Sequence, residues 1–107
     1  MIKIDQFLEI ELRTATIITA ERVPDTDRLM RLEVDTGDAE FRQLVAGIAG
    51  SYEADELPGM KIAVVANLQP ATIRGVESNG MVLAAATDDG PVLVTFAKDV
   101  PNGARVR

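Results

Sequence analysis

Two serines, Ser51 and Ser78, are the only ones in the chain, and neither stands where a hydroxyl would be activated for attack. The sequence has no His and no Cys, which removes the usual general base, the commonest neutral metal ligand and every thiolate site. "GVESNG" around Ser78 is not a nucleophile elbow of the G-x-S-x-G kind, because Val76 stands where the first Gly is required. The paired carboxylates of "PDTD" and "TDDG" suit Ca²⁺, but Asp is also the ordinary turn residue, and neither stretch keeps an EF-hand's ligand order. Both are read as turns; no metal and no other cofactor is expected, and the chain is predicted to be non-catalytic. The chemistry to look for is recognition.

The segment best suited to it is "NLQPATIRGVESNGM", residues 67–81, which lies between two runs that read as buried strands. It holds one Arg, two Asn, two Gly, a Ser and a Pro, with no apolar stripe to bury, and so reads as a long loop held out from a core. Arg also dominates the cations: eight of the eleven basic residues are Arg and three are Lys. A guanidinium fork matches phosphate bidentately and stacks on bases, so this bias favours local contacts to nucleic acid. The overall charge opposes them, since seventeen Asp and Glu leave a net −6, and a nucleic-acid binder usually presents a basic face. Any such site must be a local patch. "GIAG" resembles the G-x-x-G clamp of KH domains but lacks flanking basic residues and follows a strand, so a close-packed turn is the better reading.

The elements that must position these residues are short strands. Residues 13–23, "RTATIITAERV", alternate like one long half-buried strand; "RLMRLEVDTG" sets Leu29, Leu32 and Val34 against charged neighbours, and "FRQLVAGI" follows a turn. "AGSYEADELPG" reads as a short helical turn capped by Ser51 and stopped by Pro58 and Gly59. "MKIAVVANL" and "GMVLAAA" are apolar central strands, and "DDGPVLVTF" adds a turn and a last strand. Five or so strands, broken by one helical turn between the third and fourth, is the order of an OB-fold; the fold class is therefore an all-β, five-stranded OB-fold barrel with short helical turns. A chain of 107 residues, 47% hydrophobic, suffices for one domain over residues 1–107. The ends fit the barrel less obviously. "IDQFLEIEL" spaces Ile4, Phe7 and Leu8 as on a helix, and "KDVPNGARVR" cannot be a central strand. Neither a signal-peptide core nor a membrane span is read, so no membrane is expected and a cytoplasmic location fits.

"ELRTATI", "DTDRLMRLEVDTG", "FRQLVAGI", "VVANLQP" and "RGVESNGMVLAA" come in the order and spacing of the tRNA-binding domain family, which the chain resembles from about Ile4 to its last residues. That family includes the C-terminal domain or separate β-subunit of methionyl-tRNA synthetases, stand-alone tRNA-binding proteins and CsaA-type export chaperones. The resemblance implies an OB-fold that dimerises through added N- and C-terminal segments and grips tRNA by shape and backbone, without base-specific readout. Implied partners are tRNA, a second copy of the chain, and a methionyl-tRNA synthetase, with no DNA expected. The family segment runs near N-L-K-P-x-K-x-R-G-x-x-S-x-G-M, and Asn67, Arg74, Gly75, Ser78, Gly80 and Met81 match it here. The tRNA-binding residues it implies are Arg13, Arg28, Arg42, Asn67, Arg74, Ser78 and Asn79. Met81 reads as core packing. Gln69 and Thr72 stand where many members have Lys, and Ala46 where Ser is usual before Gly-Ile, so two phosphate partners are absent.

Two other readings stay open, a CsaA-type preprotein-binding chaperone and a dimerisation module of a synthetase with little RNA affinity of its own. A tRNA binder requires Arg13, Arg28, Arg42 and Arg74 to converge on one face, whereas a preprotein binder requires a contiguous exposed apolar patch.

Overall fold

The computed structural model describes all 107 residues. Helix α1 (Ile4–Leu8) leads into β1 (Leu12–Arg22), β2 (Met30–Asp35) and β3 (Arg42–Ala46); a 3₁₀ turn (Ala54–Glu56) precedes β4 (Lys61–Val65). Then come β5 (Ala71–Ile73), β6 (Val76–Ser78), β7 (Met81–Val82), β8 (Ala84–Thr87), β9 (Gly90–Leu93) and β10 (Arg105–Val106). The main sheet runs β3-β2-β1-β4-β7, with β10 paired to β1, and the hairpins β5–β6 and β8–β9 stand apart from it. The result is a nearly closed five-stranded barrel of OB type in an almost wholly β chain.

β1 makes this possible by serving two neighbours. Residues 12–16 pair with β4 and residues 16–22 with β2, and a register irregularity between Ile17 and Thr19 lets the strand bend from one to the other. β2 shows why the barrel forms: Met30, Leu32 and Val34 are fully buried, while Arg31, Glu33 and Asp35 face outward. The apolar phase therefore begins at Met30 rather than Leu29, which is only half-buried beside the preceding loop. Ile17, Leu44, Ile62, Val64 and Leu57 complete the core, each contributing roughly 1.5–3 kcal/mol by burial. Ser51 does not cap the 3₁₀ turn; Glu53 precedes it, and its backbone N–H donates to the Glu56 carboxylate at 2.7 Å.

Three other expectations change. Residues 67–81 are not an open loop, because β5 and β6 fold back on each other as a hairpin. "GMVLAAA" is not one strand: β7 stays in the barrel and β8 leaves it for its own hairpin, with the break at Leu83. The C-terminal segment belongs to the barrel after all. Thr14 accepts the Ala104 N–H and donates its hydroxyl to the Pro101 carbonyl at 2.6 Å, while Asn102 accepts from Thr16 and Lys61. Gly37 and Gly103 allow that close crossing, since a Cβ on Gly103 would stand 2.6 Å from the Thr36 carbonyl oxygen and one on Gly37 2.7 Å from that of Asn102.

Candidate nucleic-acid interface

The ligand face of an OB barrel lies over strands 2 and 3, between the loop joining strands 1 and 2 and the one joining strands 4 and 5. Here those boundaries are residues 23–29 and the β5–β6 hairpin. The first is held firmly: Val23 N–H bonds the Leu29 carbonyl at 2.9 Å, and Thr26 Oγ1 donates to the Val23 carbonyl at 2.7 Å. Arg22 donates to the Ala49 and Asp27 carbonyls, which makes it a brace for this loop. The hairpin turns on Arg74 and Gly75 alone, with φ of 53° and 80°, the type I′ pattern whose twist suits paired strands. Arg74 is thereby carried on the tip. Arg28 and Arg74 share a cleft of about 380 Å³ with Leu29 and Ile73, and both side chains are exposed.

The seven sequence-derived site residues divide into distinct settings. Arg13 and Arg42 lie together in another cleft, of about 400 Å³, which shares no lining residue with the first. Both are engaged. Arg13 pairs with Glu11 and donates to the Gly103 carbonyl at 2.9 Å, and Arg42 donates to the carbonyls of Ala66 at 2.7 Å and Asn79 at 3.2 Å, with Asp38 at 3.8 Å. The four arginines thus fall into two clefts, Arg28 with Arg74 and Arg13 with Arg42. The hydrogen bond from Arg13, and then its charge, hold the Glu11 carboxyl below its ordinary value, with Arg105 and Arg42 adding to the effect.

Asn67 accepts the Glu11 N–H and donates to the Glu9 carbonyl, tying the segment after α1 to the barrel. Ser78 is buried; its Oγ accepts the Val45 N–H at 2.9 Å and donates to the Gly80 carbonyl, so this hydroxyl closes the barrel against β3. Asn79 continues the closure through its backbone, donating to the Gln43 carbonyl at 2.8 Å, and its side chain is half-buried. Of the seven, Arg28 and Arg74 are those whose side chains are both exposed and free of any hydrogen bond or ion pair within the chain.

Two features were not foreseen. Met81 is 47% exposed rather than core, and with Leu68 and Ile73 it lines an apolar hollow that meets the Arg28–Arg74 cleft at Ile73. The glycines of "GIAG" are not close-packed, since a Cβ on Gly47 or Gly50 would meet nothing within 4 Å; they border a polar cleft with Arg28, Ser51, Asp88 and Asp89. Exposure within a short strand such as β7 has no signature in apolar periodicity, which explains the misreading of Met81.

A family model described as "Putative tRNA binding domain" matches residues 12–105, which takes in every barrel strand and both ligand-face loops. The chain belongs to the tRNA-binding domain family. It is 49% identical over 107 residues to the methionine–tRNA ligase of Methanothrix thermoacetophila, but spans only 16% of that enzyme's length. Its fold matches the crystal structure of a MetRS related protein from Pyrococcus horikoshii with a TM-score of 0.92 at 38% identity, covering 100% of this chain and 98% of that one. It likewise matches the chaperone CsaA of Bacillus anthracis with a TM-score of 0.89 at 30% identity, over 100% and 99% of the two chains. This tRNA-binding domain is therefore related both to a synthetase segment and to CsaA proteins. No helix in it is long and apolar enough to cross a membrane.

Proposed function

We propose that this domain binds tRNA without catalysing a reaction, recognising backbone and shape across the OB face, as a homodimer that serves a methionyl-tRNA synthetase in the cytoplasm. The observation that carries the reading is the pair Arg28 and Arg74. Five of the eight arginines are spent on internal carboxylates and carbonyls, and these two, free and exposed, stand on the two loops that border an OB ligand face. Guanidinium forks so placed suit phosphate oxygens. The dimer reading is supported by apolar side chains left uncovered on and beside α1: Ile2, Ile4 and Leu8 are exposed. A CsaA-like preprotein-binding role is the second reading, favoured by the apolar hollow around Met81 and the likeness to CsaA over the whole chain.

The test is filter binding of total tRNA at two salt concentrations, with the wild type, Arg28→Glu and Arg74→Glu. Each reversal is expected to weaken binding and flatten its salt dependence. Unchanged curves would sink the tRNA reading of this face and favour the preprotein one.

A further inference from the structure

An apolar side chain exposed singly on a protein surface calls for no explanation. Leu68 and Met81, 44% and 47% exposed, instead share one hollow of about 200 Å³ with Ile73, and Ile73 also lines the cleft that holds the free guanidiniums of Arg28 and Arg74. An apolar floor directly beside two anion-seeking groups is the complement of a nucleotide, which is a flat, weakly solvated ring attached to a phosphate. We infer that this hollow is a subsite for an unpaired nucleobase of a bound RNA strand, stacked on Met81 and Leu68 while its neighbouring phosphates lie on Arg28 and Arg74. The inference rests on reading this face as an RNA interface, and adds that the RNA is engaged at a loop or end where a base is free to leave its stack.

Two details favour RNA over a peptide. An extended peptide gains most of its affinity by adding a strand to a free sheet edge, and the outer edge of β3 is already partly occupied. Its Val45 N–H is taken by the Ser78 hydroxyl and its Gln43 carbonyl by the Asn79 N–H. The lining, moreover, is mainly aliphatic and thioether; Ser78 is engaged within the barrel and Gln69 is the one free polar side chain among the lining residues, so a base is held chiefly through its face, and methionine sulfur is itself a favourable partner for an aromatic ring.

The chain has no Trp, so Met81→Trp places a single indole in the hollow. The probes are a short single-stranded oligoribonucleotide, a duplex of the same length, the corresponding abasic ribose-phosphate oligomer and an apolar peptide. The expected result is quenching of the indole by the single strand alone, with about tenfold tighter binding of that strand than by the wild type. Leu68→Trp repeats the measurement from the other side of the hollow and serves if the first variant folds poorly. If the abasic oligomer binds as tightly as the intact strand and the indole is silent, the subsite is overturned; quenching by the peptide but not by RNA overturns it in favour of a peptide groove. Affinity of the wild type for whole tRNA is measured alongside. tRNA binding that depends on Arg74 without indole quenching removes the subsite and leaves the interface, whereas no tRNA binding removes the interface itself.

Discussion

Individual arginines in this domain are either engaged by the chain's own groups or left free, and the proposed recognition falls to the free ones. Arg42 donates to two backbone carbonyls across the barrel, so Arg42→Ala is expected to lower stability by about 1–3 kcal/mol, read as a fall in the urea midpoint. Arg74, exposed on a hairpin tip, makes no hydrogen bond or ion pair within the chain. Arg74→Glu should leave that midpoint in place yet weaken tRNA binding by more than the ~1–3 kcal/mol of one lost contact, because repulsion replaces attraction. The converse change is also informative. Gln69 and Thr72 are both exposed, but Thr72 lies directly opposite Glu77 in the hairpin, so a lysine at 72 would be drawn to that carboxylate. Gln69→Lys is therefore expected to steepen log K against log salt by up to about 0.9, and Thr72→Lys by less, in a salt titration of tRNA affinity.

At the scale of elements, the barrel is closed by a side chain where backbone pairing stops. Ser78 Oγ stands in for a ladder carbonyl against the Val45 N–H, in a site only 4% exposed. Ser78→Ala leaves that donor without a partner, and a loss of ~1–3 kcal/mol is expected by chemical denaturation. Unchanged stability would mean that water replaces the hydroxyl. The C-terminal segment is fastened to β1 in part by Arg13, which spans Glu11 and the Gly103 carbonyl. Because this contact holds the Glu11 carboxyl below its ordinary value of 4.5, its contribution is fully present above that value and is lost as pH falls through the lower, folded-state value. Solvent screens so open a pair, and the effect is correspondingly small. The difference in melting temperature between the wild type and Glu11→Gln is expected at neutral pH and should vanish in strong acid; a difference that grows below pH 4.5 would contradict it.

For the whole molecule, the central contrast is between a net charge of −6 and an anionic ligand. Asp88 and Asp89 share one cleft with Arg28, while the free Arg74 shares another, so on the proposed reading a polyanion is expected to approach by the Arg28–Arg74 cleft. Two copies joined through their terminal segments would present that patch twice on one particle. Ile4 at 68% and Leu8 at 44% exposure are the side chains a partner would cover, and a stable interface buries ~1,200 Å² or more in total. Light scattering at micromolar concentration is expected to give a dimer mass for the wild type and a monomer mass for the double variant Ile4→Glu with Leu8→Glu. A wild-type monomer would remove the homodimer from the proposal.

By itself the sequence determined the first four strands and their order, but not the β5–β6 hairpin, the break at Leu83 or the pairing of β10. Alternation in "RLMRLEVDTG" and the apolar run "MKIAVVANL" are local signals of burial because a strand's two faces repeat every second residue, and they locate β2 and β4, though with ends too long and a first apolar position at Leu29 instead of Met30. It also placed Arg74 between strands, where turn residues cluster, whereas Arg28 read as the start of the second strand and only the structure puts it in the preceding loop. Which polar groups are free was decided only by the tertiary structure. Ser78, Asn67 and Arg42 have the same composition signature as ligand contacts, yet they are engaged by Val45, Glu9, Glu11, Ala66 and Asn79, partners 24 to 58 residues away. Met81, read as core, is an apolar residue left outside because β7 is two residues long and its outer face is exposed. A hydrogen-bonding group has the same appearance in sequence whether its partner is its own backbone or a ligand, and only the closing of the barrel, which brings distant carbonyls and amides within reach, separates the two.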